Sequence, residues 1–297
     1  MQIKHLRHKT IDYTRWDKCI SESYNQLTYA YTWYLDIVSP NWEALVSDNY
    51  EYVMPLPIKR RYGISYLVQP ILTQQLGIFS KKAIDDTIVQ LFIKELPSFS
   101  YELNLNEHNY HSKARILPNY LLNLQHSYDQ IASQYSKNTK RNIDKANKSS
   151  LKVKSGLSIT DFLSFYNSVH KNYKQEKQSI VKELVENGIK KMEMTLHGVF
   201  SDENNLIAAL CLIHSTNRLT YLLPISNTEG KASAAMFLLI DKIIREESGK
   251  NYVLDFEGSR MEGIARFYKG FGAKNHPYYI LKRFRPAFLI RKLSKQQ

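Results

Sequence analysis

The clearest periodic pattern of the chain is a stripe of apolar residues between positions 236 and 244. Its members are Met236, Leu239, Ile240, Ile243 and Ile244. Residues that recur at intervals of three and four lie on one side of an α-helix, so this stripe predicts a helix that packs on a sheet. The apolar runs at residues 206–211 and 221–225 are short and bounded by polar turns, which predicts two strands ahead of the helix.

The same order of elements occurs twice along the chain. Each copy predicts a strand, a polar Ser-Asp turn, a second strand, a third strand that begins at a tyrosine, an amphipathic helix and a short last strand. Ser47 precedes Tyr66 by 19 residues in the first copy, and Ser201 precedes Tyr221 by 20 residues in the second. A repeated order with matching spacing predicts an internal duplication.

A polar segment separates the two copies. Residues 128–148 contain neither proline nor glycine and predict one long helix. We therefore predict an N-terminal domain at residues 1–126 and a C-terminal domain at residues 127–297. Strands joined both by turns and by a helical crossover form a mixed sheet. The predicted fold class is accordingly α/β, of the α+β type, with a mixed sheet flanked by helices in each domain.

The charge balance narrows the class of partner. The 297 residues include 41 lysines and arginines but 28 aspartates and glutamates, which gives a formal net charge of +13. A field of that sign attracts phosphates, nucleic acid, nucleotide-linked substrates or an anionic membrane surface, without choosing among them. Cys19 and Cys211 lack the spacing of a metal or redox motif, so we expect two free thiols and no metal site.

The pattern of apolar residues also bears on localisation. The first nine residues have no apolar run after their charges, unlike a secretory signal, and no apolar stretch approaches the ~20 residues that span a bilayer. We therefore expect a soluble, cytoplasmic protein. Residues 282–292 mix cations with apolar side chains, which leaves two interpretations open: peripheral contact with an anionic membrane, or docking of the tail on its own domain. The oligomeric state is not predicted.

The turn at residues 227–232 is the first candidate site. A helix N-terminus offers free backbone N–H groups and the positive end of the helix dipole, which together bind phosphate. The candidate ligands of a pyrophosphate are Asn227, Gly230, Lys231 and Ala232, with Lys231 as an additional cation. The alternative is an ordinary strand-to-helix turn, in which the glycine only permits a positive φ.

Two carboxylates and a tyrosine form the second candidate site. On a strand, Asp255 and Glu257 point to the same face, where they repel each other unless they are paired or solvated. Glu257 is the candidate general base; the alternative gives Asp255 a structural hydrogen bond and leaves Glu257 in the exit loop. The segment from Ser259 to Glu262 has the pattern of a capping box and predicts the next helix. On that helix, Tyr268 is a candidate acid for a leaving thiolate; the alternative is a buried tyrosine that packs by its ring.

These motifs, in this order, resemble those of the GNAT acyltransferase superfamily. In that family a Gln/Arg-x-x-Gly-x-Gly/Ala loop binds the pyrophosphate of acyl-CoA, and residues 227–232 match it except at Asn227. A later Asn-x-x-Ala-x-x-x-Tyr-x-x-x-Gly-Phe stretch supplies a tyrosine acid, and Tyr268 and Gly272 match that stretch. The departures from it are Met261, Ile264 and Ala273.

The duplicated layout is similar to that of the Fem-type (FemAB-like) transferases, which pair two GNAT-like domains and use aminoacyl-tRNA. The resemblance implies tandem GNAT-like domains, acyl-CoA held at the 227–232 turn, Glu257 as base and Tyr268 as acid. It implies an N-acyltransferase that moves an acyl group from acyl-CoA to an amine acceptor. One alternative is a Fem-type transferase that uses aminoacyl-tRNA. The other is a non-catalytic GNAT scaffold that binds an anionic partner.

The first copy has an equivalent loop at residues 74–79. Phe79 replaces the small residue that close approach of a phosphate requires, so we do not expect this loop to bind CoA in the usual way. Gln74 and Gln75 are candidate polar contacts of the acceptor; the alternative is a purely structural loop.

A basic stripe on the predicted linker helix is the last candidate site. Lys137, Arg141, Lys145 and Lys148 fall within about 80° of one another, with Lys140 beside them. A solvated helix surface is the common explanation of such a stripe. The alternative is a phosphate-binding surface for tRNA or for a phosphate-containing acceptor, with Lys140, Arg141 and Lys145 as the binding residues.

Overall fold

The computed structural model of the protein describes residues 1–61, 64–97 and 100–283. The chain divides into two compact units. One unit comprises Met1–Leu117 together with the described residues that follow His276, and the other comprises the chain from Pro118 to His276.

The first unit contains two sheets and the helices that cover them. Its strands begin with β1 (Ile3–Leu6), β2 (Glu43–Ser47), β3 (Tyr52–Leu56), β4 (Ile58–Arg61), β5 (Ile64–Val68), β6 (Phe79–Ser80), β7 (Tyr101–Leu105) and β8 (Arg115–Leu117). Its helices are α1 (Tyr13–Glu22), α2 (Thr32–Val38) and α3 (Asp86–Lys94). One sheet has the order β1-β2-β3-β6, and β5 and β7 run parallel in the other. Pro57 separates β3 from β4, because proline cannot donate to a continuous ladder.

The second unit is built on one long mixed sheet. Its strands are β9 (Tyr120–Asn123), β10 (Lys152–Ser155), β11 (Met194–Phe200), β12 (Leu206–His214), β13 (Arg218–Ser226), β14 (Val253–Asp255) and β15 (Lys274–Asn275). Its helices are α4 (Tyr128–Ser133), α5 (Lys137–Lys148), α6 (Ile159–Val169), α7 (Gln175–Lys190), α8 (Thr228–Ala232), α9 (Ala235–Glu247) and α10 (Glu262–Gly270). The strand order is β10-β11-β12-β13-β14-β9-β15, and β13 and β14 are the parallel pair.

The apolar stripe forms helix α9, as the sequence predicts. Leu239, Ile240, Ile243 and Ile244 are buried in a core that also contains Leu254 of β14. Burial of this stripe against the sheet holds the start of α9 in place beside the end of β13, where the first candidate site lies.

The strand β16 (Tyr278–Arg283) belongs to the first unit. It lies between β7 and β8 and is antiparallel to both. In the second unit, β9 occupies the corresponding place beside β14, also antiparallel. Each unit thus has a parallel pair of strands followed by an antiparallel strand from a distant part of the chain. This shared topology confirms the predicted fold class of two mixed-sheet units flanked by helices.

The unit boundaries differ from the predicted boundaries, which were residues 1–126 and 127–297. β9 precedes residue 126 but pairs with β14 of the second unit, whereas β16 follows the second unit but pairs with β7 and β8 of the first. Pairing between strands that are distant in sequence decides these boundaries, and such pairing leaves no local pattern.

The prediction of one long helix at residues 128–148 was wrong. α4 ends at Ser133 and α5 begins at Lys137, because the hydroxyl of Ser136 accepts a hydrogen bond from the amide of Thr139 and caps a new helix. The predicted membrane-binding or docking tail lies outside the described residues beyond Arg283. Within β16, Lys282 Nζ pairs with Glu102 Oε1 at 2.6 Å.

Candidate active site

The candidate active site lies where β13 and β14 stop pairing. The two strands are paired from Arg218 opposite Val253 to Thr220 opposite Asp255. β14 ends there, while β13 continues to Ser226. The exit loop that carries Glu257 and leads to the helix of Tyr268 therefore starts where the pairing ends, whereas the turn at residues 227–232 follows β13 only after Ser226.

Asp255 has a structural role at this point. It is 1% exposed, and its Oδ2 accepts a hydrogen bond of 2.7 Å from Nη1 of Arg218. Its Oδ1 accepts a second one of 2.9 Å from the amide of Glu257. The carboxylate thus ties the end of β14 to β13 and fixes the backbone that follows it. Sequence reasoning did not single out Arg218, although an arginine near a buried aspartate is the usual signal of such a pair.

Glu257 does not share a strand face with Asp255, so that expectation was wrong. β14 ends at Asp255, and Glu257 adopts a φ of +58° in the exit loop. This left-handed conformation is uncommon for residues other than glycine, and both turns and functional sites contain it. Glu257 is half-buried there. Its role as general base stays a prediction.

Tyr268 lies in a buried aromatic cluster on α10. Its ring stacks on Phe256, with ring centroids 4.9 Å apart, and contacts Tyr221 and Tyr120, each at 6.0 Å. Burial raises the pKa of Tyr268 above its ordinary value, and the negative charges of Glu257 and Asp255 raise it further. Stacking on Phe256 therefore places Tyr268 beside the loop that carries Glu257, and burial keeps the phenol protonated.

The helix that carries Tyr268 starts later than the capping-box pattern predicts. α10 begins at Glu262, with Met261 as its N-cap and no capping side chain. The hydroxyl of Ser259 instead accepts a hydrogen bond from the amide of Met261 in the preceding loop. The predicted capping box at Ser259 was therefore wrong.

The C-terminal end of α10 packs against the start of the basic helix α5. The amide of Ser136 donates to the carbonyl of Gly270 at 2.9 Å. A Cβ at Gly270 would lie 2.4 Å from Oγ1 of Thr139, so only glycine permits this approach. Gly270 thus lets α5 approach the end of the helix that holds Tyr268.

The turn at residues 227–232 is a short helical turn whose backbone amides form hydrogen bonds within the turn. Asn227 caps α8, and its Oδ1 accepts a hydrogen bond from the amide of Gly230 at 2.8 Å. The amide of Lys231 donates to the carbonyl of Asn227 at 3.1 Å. Gly230 has no positive φ; a Cβ there would lie 2.2 Å from the carbonyl oxygen of Ile207. Phosphate contacts by the amides of Gly230 and Lys231 would require this turn to open. Ala232 is the last residue of α8. The role of the whole turn in binding the donor stays a prediction.

The basic stripe lies on the exposed side of α5. Lys140, Arg141 and Lys145 are exposed, whereas Ile143 and Ala146 are buried against the core. Arg141 Nη2 donates to Asn138 Oδ1 at 3.0 Å, within the helix. Among the described residues, no acidic side chain forms an ion pair with a cation of this helix. The stripe therefore presents its positive charge to solvent.

Gln74 and Gln75 lie in the first unit, before β6. Gln75 is 1% exposed, and its Nε2 donates to Oε1 of Gln74 at 2.6 Å. The Oε1 atom of Gln75 is buried and has no hydrogen-bond partner in the described part of the chain. The backbone carbonyl of Gln74 accepts a bond from the side chain of Asn104. An acceptor contact at these residues stays a prediction, and a ligand would have to reach the unit's interior to make it.

The chain is similar to a known protein family and to several solved structures. The FemAB family model matches residues 57–184. FemX matches with a TM-score of 0.64 and 10% identity, over 98% of this chain and 99% of that one. A conserved protein from Bacteroides thetaiotaomicron matches with a TM-score of 0.59 and 10% identity, over 92% and 98% of the two chains. The chain has a Fem-type fold.

Another protein with the Fem-type fold is L-PGS from Bacillus licheniformis. It matches with a TM-score of 0.56 and 8% identity, over 95% of each chain. Curated protein sequences show no match to this chain. The FemAB match and these folds agree with the Fem-type arrangement that the sequence resembles.

Two further properties concern metals and membranes. Across residues 1–61, 64–97 and 100–283, no group of three His, Cys, Asp or Glu side chains could hold a metal ion. Within the same residues, no helix is both long and apolar enough to cross a bilayer.

Proposed function

We propose that this chain transfers an activated acyl group to an amine at the point where β13 and β14 separate. The observation that carries the proposal is the stacking of the Tyr268 ring on Phe256, the residue before Glu257, with centroids 4.9 Å apart. A carboxylate base and a phenol acid at the end of a parallel strand pair are groups that acyl transfer to an amine can use.

The proposed reaction moves two protons. The amine nitrogen attacks the carbonyl carbon of the donor, a C–N bond forms, and Glu257 takes the proton that the nitrogen loses. The bond between the carbonyl carbon and the leaving oxygen then breaks. Tyr268 gives its proton to that oxygen, so that the alcohol of the donor departs uncharged.

Of the two donors, we propose the ester of an aminoacyl-tRNA rather than the thioester of acyl-CoA. The amides of Gly230 and Lys231, which would bind the CoA pyrophosphate, are engaged by Asn227. A CoA phosphate would therefore have to compete with hydrogen bonds that already satisfy these donors.

The acid also favours an ester donor. Burial and the nearby carboxylates raise the pKa of Tyr268, so the phenol is a weaker acid than a free tyrosine. A thiolate is a weak base, so proton transfer from this phenol to a thiolate is thermodynamically unfavourable. An alkoxide is a far stronger base and takes the proton readily. The leaving group that suits Tyr268 is thus the ribose oxygen of a tRNA.

Helix α5 offers a surface for the tRNA backbone. Its exposed cations are Lys137, Lys140, Arg141, Lys145 and Lys148. Unpaired lysines and arginines bind phosphates by releasing condensed counterions, without reading sequence. The resemblance to Fem-type transferases implies the same donor class.

Steady-state kinetics of Glu257→Gln and Tyr268→Phe test the proposed roles. Each variant should lower kcat by about 100-fold or more, because each removes one proton transfer. Glu262→Gln and Tyr252→Phe are matched controls: Glu262 is an exposed residue of α10, and Tyr252 packs against the same core as Tyr268. Unchanged turnover in both test variants would overturn the assignment, and absence of transfer from every acyl donor would leave only a non-catalytic scaffold.

A further inference from the structure

Two apolar side chains are exposed at the start of α10. Met261, the N-cap residue of this helix, is 67% exposed, and Ile264, on its first turn, is 37% exposed. Both residues depart from the Asn-x-x-Ala-x-x-x-Tyr pattern that this part of the sequence otherwise resembles. Where that pattern has a polar residue and a small one, this chain has two larger apolar residues. The proposed roles of Glu257 and Tyr268 explain neither of them.

The two side chains lie on the same side of α10 as the proposed acid. Met261, Ile264 and Tyr268 follow one another at intervals of three and four residues, so they fall within about 60° of one another around the helix. Tyr268 is buried against Phe256, whereas the two residues before it are exposed. The apolar side of the helix therefore continues past the edge of the core. We call its uncovered part, Met261 and Ile264, the apolar stripe.

The ligand that fits the apolar stripe is itself apolar. The charged residues of α10 lie about 100° or more from the centre of the stripe; they are Glu262, Arg266 and Lys269. The side chains of the stripe offer no partner to a phosphate or an ammonium group, and covering them with such a group would cost its hydration. Covering them with an alkyl or aryl group removes apolar surface from water on both sides.

The distance from Tyr268 selects the part of the substrate that reaches the stripe. An α-helix rises by about 1.5 Å per residue, so the Cα atoms of Ile264 and Met261 lie about 6 and 10 Å from that of Tyr268 along the helix axis. In an aminoacyl ester, the amino-acid side chain begins only a few bonds from the leaving oxygen that Tyr268 protonates. The ribose and the phosphates lie on the other side of the ester bond. The apolar group within reach is thus the side chain.

We infer that Met261 and Ile264 bind an apolar side chain of the transferred aminoacyl group, and that they select a leucyl ester over a seryl ester. The inference rests on the proposed function, because the side chain reaches the stripe only if Tyr268 protonates the leaving oxygen. The isobutyl group of leucine leaves water when it covers the stripe, whereas the hydroxymethyl group of serine gains little there.

Calorimetric titration of the full chain with two unreactive analogues tests the inference. The analogues are 3′-amino-3′-deoxyadenosine acylated with leucine and with serine, in which an amide replaces the ester. The leucyl analogue should bind about tenfold more tightly than the seryl analogue. Met261→Asn combined with Ile264→Ala restores the residues of the motif and should abolish this preference. Binding of the seryl analogue should stay unchanged, a pattern that a folding defect cannot produce. Met192→Asn is the control and should keep the preference, since Met192 is 88% exposed elsewhere in the second unit.

Three results of the titration overturn the inference: equal binding of the two analogues by the wild type, a preference that survives in the double variant, and no binding of either analogue. A double variant that raises the KM of the amine acceptor and leaves the leucyl preference in place would assign the stripe to the acceptor instead, which also overturns it.

Transfer from charged tRNA is measured separately, so that the two proposals can fail independently. If the preference depends on Met261 and Ile264 but no charged tRNA supports transfer, the side-chain site stands and the proposed function fails. If leucyl-tRNA and seryl-tRNA react equally well with the wild type and with the double variant, the proposed function stands and the side-chain site fails.

Discussion

Asp255 and Glu257 are two residues apart, yet their environments in the structure differ. Asp255 is buried and bonded to Arg218, whereas Glu257 lies in the exit loop with a positive φ. The sequence indicated two acidic residues at the end of a strand and favoured a structural Asp255. It could not show that the strand stops at Asp255, because the hydrogen bond that fixes the turn forms between the side chain of Asp255 and a backbone amide.

Asp255→Asn should reduce the free energy of unfolding by about 2 kcal/mol. The variant removes a buried carboxylate from a largely buried guanidinium, and breaking such a pair from one side is destabilising. Urea unfolding at neutral pH measures the change. Asp202→Asn, at an exposed turn, is the control and should leave the unfolding midpoint in place. A midpoint for Asp255→Asn equal to that of the control would contradict the structural role.

Gly230→Ala should destabilise the protein by about 2 kcal/mol or more, because its Cβ would meet the carbonyl oxygen of Ile207 at 2.2 Å. Gly263 provides a matched control in α10, since a Cβ there meets nothing within 4 Å. Gly263→Ala should be neutral or stabilise by about 0.5 kcal/mol, because alanine is the better helix former. Thermal unfolding compares the two variants. Equal destabilisation would contradict the claim that the nearby carbonyl of Ile207 is the reason for a glycine at position 230.

A buried histidine makes stability depend on pH. His197 bonds to Ser155 and Thr195, and burial lowers its pKa to about 4, with His214 and Lys242 acting in the same direction. The folded state therefore favours the neutral ring. This contribution to stability is complete above the ordinary pKa of 6.5 and is lost as pH falls toward 4.

The loss should amount to about 3 kcal/mol between neutral pH and pH 4, from the difference between the two pKa values. Urea unfolding at a series of pH values measures it. His197→Gln should flatten the profile over this range, and His126→Gln, an exposed control, should not. A profile that keeps its full slope in His197→Gln would exclude His197 as the cause.

At the scale of elements, regular patterns predicted well and interruptions did not. The stripe ending at Ile244 became α9, and the short last strand predicted for the first copy became β7. The break between α4 and α5 was missed, because neither proline nor glycine marks it. The new helix begins where the side chain of Ser136 caps it. The stacking of the His170 and Tyr173 rings was missed as well. Both residues follow the end of α6, outside any regular element.

Replacing Lys140, Arg141 and Lys145 together with glutamine should weaken tRNA binding and flatten its salt dependence. Loss of about three phosphate contacts should reduce the slope of log K against log salt by about 2. The control is a triple replacement of exposed lysines in the first unit, Lys9, Lys18 and Lys113, which removes the same charge. An equal change of slope in both triple variants would mean that net charge, not α5, binds the nucleic acid.

At the scale of the whole molecule, the repeat was predictable and the boundaries were not. The spacing of the Ser-Asp turns shows the duplication, because both copies keep their local order. The boundaries depend on β9 and β16, each of which completes a sheet far from its neighbours in sequence. No pattern within β16 distinguishes a strand of the first unit from a strand of the second.

Leu281→Ala should therefore destabilise the first unit, although it lies near the end of the chain. Leu281 is buried in the core that contains Leu103 of β7, and its truncation should lower stability by about 3 kcal/mol. Hydrogen exchange should accelerate in β7 more than in β14. Leu122→Ala, on β9, is the reciprocal variant and should show the reverse. Faster exchange in β14 than in β7 for Leu281→Ala would contradict the division into units.

The central claim is acyl transfer from a tRNA ester by Glu257 and Tyr268. Hydroxylamine can serve as a surrogate amine, and the hydroxamate formed from charged tRNA or from acetyl-CoA can be measured by mass spectrometry. We expect enzyme-dependent hydroxamate from charged tRNA, lost on ribonuclease treatment and in Glu257→Gln and Tyr268→Phe. Enzyme-dependent hydroxamate from acetyl-CoA alone, or equal amounts from the wild type and both variants, would contradict the account.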